Sequence, residues 1–100
     1  MTTTTLTSST LNEFHINGKL YHHFIDRSND RTYLDDEAAN TLYVVDSRGC
    51  MTDRAGTVGK FSLDIDGFWT FNCLSGLKII TGNSDLNKAE MKVFKHLLIL

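Results

Sequence analysis

Val58-Gly59-Lys60-Phe61-Ser62-Leu63-Asp64-Ile65-Asp66-Gly67-Phe68-Trp69-Thr70-Phe71-Asn72-Cys73 is the stretch on which the fold turns. Two runs of strand-forming residues flank Asp66-Gly67, the composition of a β-hairpin. Its register follows from the side chains. A two-residue turn pairs Ile65 with Phe68 and leaves Phe61 and Leu63 on the face opposite Trp69 and Phe71. A three-residue turn, with Gly67 as a left-handed bulge, pairs Asp64 with Phe68 instead. Leu63 then faces Trp69 and Phe61 faces Phe71, all on one side. Only the second register makes a coherent apolar face, so the bulged turn is expected. It leaves Ile65 in the turn and Phe68 on the outer face.

Toward the C-terminus, Leu77-Lys78-Ile79-Ile80-Thr81 reads as a further strand closed by Gly82. Beyond it, Asn87 is the expected helix N-cap, Glu90 completes a capping box, and Leu86 staples onto Met91. Ala89, Val93, Phe94 and Leu97 then form an apolar stripe, with Lys88, Lys92 and Lys95 pointing away. Leu98, Ile99 and Leu100 extend the apolar character, as suits a helix docked on a sheet.

Toward the N-terminus, Ser47 to Gly56 reads as a loop with two glycines and two arginines. Leu42-Tyr43-Val44-Val45 is β-branched and aromatic, a buried strand, although Leu34, Ala38, Leu42 and Val45 would also share one face of a helix. Asp35-Asp36-Glu37-Ala38-Ala39-Asn40 reads as a short helix, its three carboxylates in the first turn where the helix dipole favours them. Asp26 to Arg31 is a polar loop. Asn17-Gly18 accepts positive φ at both central positions of a tight turn, giving a hairpin with strands at about 12–16 and 19–25. Residues 1–10 form a Thr/Ser-rich arm and residues 11–100 a single domain. No internal repeat stands out. The expected class is α+β: a small antiparallel sheet built from hairpins, one short helix, and a C-terminal amphipathic helix packed on a face.

One hundred residues with 41% hydrophobic and 22% charged side chains describe one ordinary globular core. Cys50 and Cys73 are too few for a disulfide scaffold and are not spaced as a zinc ribbon. No secretory signal, glycosylation sequon or long apolar run is present, so a cytoplasmic address is expected, with no membrane contact. Residues 1–66 hold six basic and ten acidic side chains, and residues 67–100 hold four basic and two acidic. The absence of a basic stripe argues against direct nucleic-acid binding.

Asp26, Ser28, Asp30, Thr32 and Glu37 fall at the oxygen-ligand positions of a calcium loop, but Arg31 stands where the sharp turn wants Gly. The same residues suit a polar loop before a helix. His22 and His23 are neighbours on a strand and point to opposite faces, so they cannot chelate one metal. His15 sits diagonally from His22 with Glu13 nearby, the makings of a two-His, one-carboxylate metal site, but ordinary hairpin surface accounts better for the same residues. His96 complements the dipole at a helix C-terminus. Cys50, between Arg48 and Arg54, has no base beside it, and Cys73 reads as core. Gly56-Thr57-Val58-Gly59-Lys60 lacks the first glycine of a phosphate loop and has Phe61 where Ser or Thr should bind magnesium. Asp64 and Asp66 supply turn chemistry. No catalytic residue and no cofactor is assigned.

What remains is surface. Asp35, Asp36 and Glu37 form an acidic patch, and the tip Ile65-Asp66-Gly67-Phe68 exposes two apolar side chains beside Asp66, the kind of group that anchors interfaces. The expected function is therefore a non-enzymatic protein-binding module that occludes a surface of a larger protein or nucleoprotein complex. Size and lack of motifs suit an inhibitor encoded by a phage or mobile element, such as an anti-CRISPR-type anti-defence protein. A calcium- or metal-responsive module using the Asp26–Glu37 loop is one alternative. A structural homodimer joined through an edge strand or the apolar C-terminus is the other.

Overall fold

The computed structural model describes residues 9–99. Eight strands follow one another: β1 (Ser9–Ile16), β2 (Lys19–Asp26), β3 (Arg31–Asp36), β4 (Thr41–Val45), β5 (Cys50–Asp53), β6 (Gly56–Leu63), β7 (Trp69–Cys73) and β8 (Lys78–Ile80). Each pairs antiparallel with its neighbour in sequence, so the sheet is an eight-stranded meander with β1 and β8 at its edges. One helix, α1 (Leu86–Ile99), lies across one face and touches both β7 and β1. Among the described residues no helix is long and apolar enough to cross a membrane.

The expected α+β class is corrected to a sheet-dominated architecture with, among the described residues, a single helix. Asp35–Asn40 is not helical: Asp35 and Asp36 end β3, and the following residues make a turn. Asp36 N–H donates to the Asn40 carbonyl (2.9 Å), Ala39 N–H donates to the Asp36 carbonyl (3.0 Å), and Ala39 takes a positive φ of 66°. The carboxylates that suggested a helix start are used otherwise. The Asp36 side chain accepts the Ala38 and Asn40 backbone N–H groups, and Asp35 accepts the Thr41 hydroxyl. Leu42–Val45 is strand, as preferred from its composition. Within the expected Ser47–Gly56 loop lies β5, four residues whose pairing with β6 is interrupted by a bulge between Met51 and Thr52. Ser9 and Thr10 belong to β1 rather than to an arm; the rest of that arm, residues 1–8, lies outside the described residues.

Other expectations agree with the structure. Asn17 and Gly18 have φ of 51° and 80°, and Ile16 pairs with Lys19. In the β6–β7 hairpin Phe61 pairs with Phe71 and Leu63 with Trp69, as the bulged turn requires. A Cβ at Gly59 would collide with the Asn72 carbonyl and the Phe71 ring, which explains a glycine inside a strand.

The core lies between the inner sheet face and α1. Leu34, Val45, Met51, Phe61, Phe71 and Ile79 meet Ala89, Val93 and Phe94 of the helix. Phe94 anchors α1, stacked on Tyr43 with ring centroids 6.1 Å apart and edge-on to His23 at 5.7 Å. The N-cap is corrected from Asn87 to Asp85, whose carboxylate accepts the Lys88 N–H (3.3 Å) and whose carbonyl accepts the Ala89 N–H (3.0 Å). Leu86 is thus the first helical residue and not a staple. Glu90, freed from the cap, turns into the interior.

Candidate binding surfaces

Antiparallel order puts successive turns at alternate ends of the sheet. The β2–β3, β4–β5 and β6–β7 turns share the end where α1 starts, and the β1–β2, β3–β4 and β5–β6 turns share the other. The two surfaces proposed from sequence therefore lie apart. The Ile65–Phe68 tip is at the first end, and Asp35, Asp36 and Glu37 are at the second.

At the tip, Asp64 organises the backbone. Its carboxylate accepts the Asp66 and Phe68 N–H groups, both at 2.9 Å. Its carbonyl accepts the Gly67 N–H (3.1 Å), and its own N–H donates to the Phe68 carbonyl (2.8 Å). Gly67 adopts φ of 87°, which a glycine takes without steric cost. Held this way, Ile65 is 100% exposed, Phe68 42% and Leu63 55%. Behind them Trp69 is half-buried. Its indole N–H donates to the Ser84 carbonyl (3.1 Å), its backbone N–H donates to the Asn83 carbonyl (2.8 Å), and its carbonyl accepts the Thr81 hydroxyl (2.6 Å). The tip is thereby tied to the segment that leads into α1.

The acidic end is less free than its composition suggested. Asp36 is committed to its own turn, and the Asn40 backbone N–H, foremost among its bonds, holds the carboxyl below the ordinary carboxylate range. Asp35 is held by Thr41. Glu37 is exposed beside a shallow cleft lined by Lys19, Leu20, Tyr21, Ala38 and Leu42.

The calcium-loop residues are not brought together. Asp26, Ser28 and Asp30 lie in the β2–β3 turn, Thr32 is buried on β3, and Glu37 follows β3 at the opposite end of the sheet. Asp26 is occupied locally: Asn29 Nδ2 and Ser28 Oγ donate to it at 2.8 Å each and hold its carboxyl low. Among the described residues no group of three or more His, Cys, Asp or Glu side chains is placed to hold a metal ion. Cys73 is half-buried beside the core, and burial pushes its thiol up. Cys50 opens β5, half-buried, opposite Lys60.

Two features escaped the sequence reading. On the outer face, Leu11, Phe24, Tyr33 and Val44 are register partners across β1 to β4, a cross-strand row that α1 does not cover, with Phe24 and Tyr33 stacked at 6.1 Å. Inside, His23 is 1% exposed and its Nε2 lies 3.3 Å from Oε1 of Glu90, also 1% exposed. Asn12 Nδ2 donates to His23 Nδ1 at 3.2 Å, so this pattern assigns the ring proton to Nε2, facing the carboxylate. A strand alternation could place His23 inward, but nothing local pairs it with a residue on a helix sixty-seven positions away.

No family model, no curated protein and no solved structure matches this chain.

Proposed function

We propose that this protein is a small non-enzymatic binding module that occludes a surface on a larger protein through the β6–β7 hairpin tip. The observation that carries the reading is the exposure of Ile65 and Phe68 together on a turn whose backbone is already fixed by Asp64. Apolar side chains held on a rigid loop lose little conformational freedom on docking, so their burial converts more fully into affinity. Exposed aromatic residues such as Phe68 are frequent hot spots at the centre of an interface. The inhibitor reading extends this one: a partner whose working surface accepts the tip is blocked by the bulk of the sheet behind it.

The test is an affinity pull-down comparing wild type with the Ile65→Ala/Phe68→Ala double variant. A stoichiometric partner that the wild type retains and the variant loses, with circular dichroism and melting temperature unchanged, is the expected result. Both side chains are exposed, so the fold has little to lose. Equal retention by the two proteins overturns the assignment to this tip.

A further inference from the structure

The two edges of the sheet are treated differently. β8 is three residues long and carries Lys78, and directly after it the chain folds back onto Trp69. Short, charged edges of this kind resist pairing with another chain. β1 is less guarded, although the Lys95 ammonium of α1 lies 5.5 Å from the centre of its Phe14 ring. It runs eight residues, Ser9–Ile16, in unbroken register with β2, without bulge, proline or lysine, and Glu13 is its one acidic residue. Among the described residues nothing pairs with its outer side.

The backbone groups that point outward can be identified. With a two-residue turn at Asn17-Gly18, Ile16 and Lys19 exchange both backbone hydrogen bonds. Alternation then directs Phe14 and Asn12 toward β2 and leaves the N–H and C=O of Glu13 and His15 facing out.

We propose that two copies of this chain associate by pairing β1 with β1, antiparallel about a twofold axis at Phe14, so that one sheet runs through both molecules. Charge favours this register over the two that would overlap more of β1. Centring the axis on Glu13 sets two carboxylates opposite each other, and centring it on Asn12 sets them on a diagonal while facing each with Leu11. Centring it on Phe14 places Glu13 opposite His15 of the second copy, twice, and these are the residues whose free backbone groups then bond. The exposed outer-face row becomes His22, Glu13 and His15 of the second copy, continuing the His22–Glu13 contact of 3.4 Å already present in each molecule. On the inner face Phe14, stacked on Tyr21 at 5.7 Å, meets its symmetry mate at the closely spaced, non-hydrogen-bonded position. A junction of this length sits at the low end of specific interfaces, so the association is reversible and concentration-dependent. It uses a surface separate from the hairpin tip, and the Ile65→Ala/Phe68→Ala variant should associate as wild type does.

Sedimentation velocity of the full chain, from about 10 to about 500 µM, tests it. Wild type should shift from monomer toward dimer. His15→Glu, which sets two carboxylates across the junction, and Glu13→Lys, which removes the carboxylate facing the imidazole, should each raise the concentration needed about tenfold. His15→Glu leaves the His22–Glu13 contact intact, which keeps the test valid if Glu13→Lys perturbs the hairpin. The Glu13→Lys/His15→Glu double variant places opposite charges across the junction and should recover association. A wild type that stays monomeric throughout overturns the proposal, as do single variants that associate normally or a double variant that does not recover.

Discussion

His22 and His23 are adjacent in sequence and each meets a glutamate at almost the same distance, 3.4 Å to Glu13 and 3.3 Å to Glu90. The strand turns one outward and one inward, and that alone separates their consequences. Glu13 is 58% exposed at its side chain and His22 25%, so water competes with the contact and salt screens it. The side chains of His23 and Glu90 are 1% and 2% exposed, so each depends on the other for the solvation that folding removed. The shared geometry carries little of the energy; the medium around it carries most.

The largest effect should come from breaking the inner pair. His23→Leu leaves the buried Glu90 carboxyl without its hydrogen-bond donor and should cost about 2–3 kcal/mol in a urea titration. Replacing both, as His23→Leu/Glu90→Met, should return stability to within about 1 kcal/mol of wild type, because apolar groups of similar volume fill the space without the desolvation penalty. A double variant as unstable as the single would show that the pair does more than satisfy itself. A smaller effect is expected from Asn12→Ala, which removes the donor to His23 Nδ1 from the rim of the same network. About 1 kcal/mol is lost in the same assay, and the loss should vanish in the His23→Leu background. Least of all, His22→Asn should change stability by under about 0.5 kcal/mol, and that difference should shrink further in molar salt. An outer pair as sensitive as the inner one would refute the comparison.

This contrast also shows what the sequence made legible. Local chemistry was readable. The Asn17-Gly18 turn, the bulged register at Gly67 and the apolar stripe of Ala89, Val93 and Phe94 all follow from side chains within a few residues of each other. The inner pair was not, because Glu90 fits a capping box as well as it fits the core, and only the packed helix decides. The missing strands were closer to the surface of the text. Asp46-Ser47-Arg48-Gly49, Asp53-Arg54-Ala55-Gly56 and Asp64-Ile65-Asp66-Gly67 repeat one spacing, and in each the aspartate accepts the N–H two residues on. Reading that rhythm would have placed β5 between the first two. Asp36-Glu37-Ala38-Ala39 is a fourth instance with Ala39 where glycine stands in the others, and losing the glycine made the turn look like a helix. The tip was legible as an exposed apolar group; the outer-face row was not, since it needs the register of four strands at once.

A meander whose strands pair only with their neighbours closes hairpin by hairpin as the chain leaves the ribosome, from contacts short in sequence and quick to form. Its cover comes after all eight strands. At synthesis rates of roughly 5–20 residues per second, Phe71, Met51 and His23 face water for on the order of seconds before α1 is complete. Until the residues from Leu86 onward have emerged and packed, the inner sheet face is bare and apolar, and in that interval this protein most needs a chaperone.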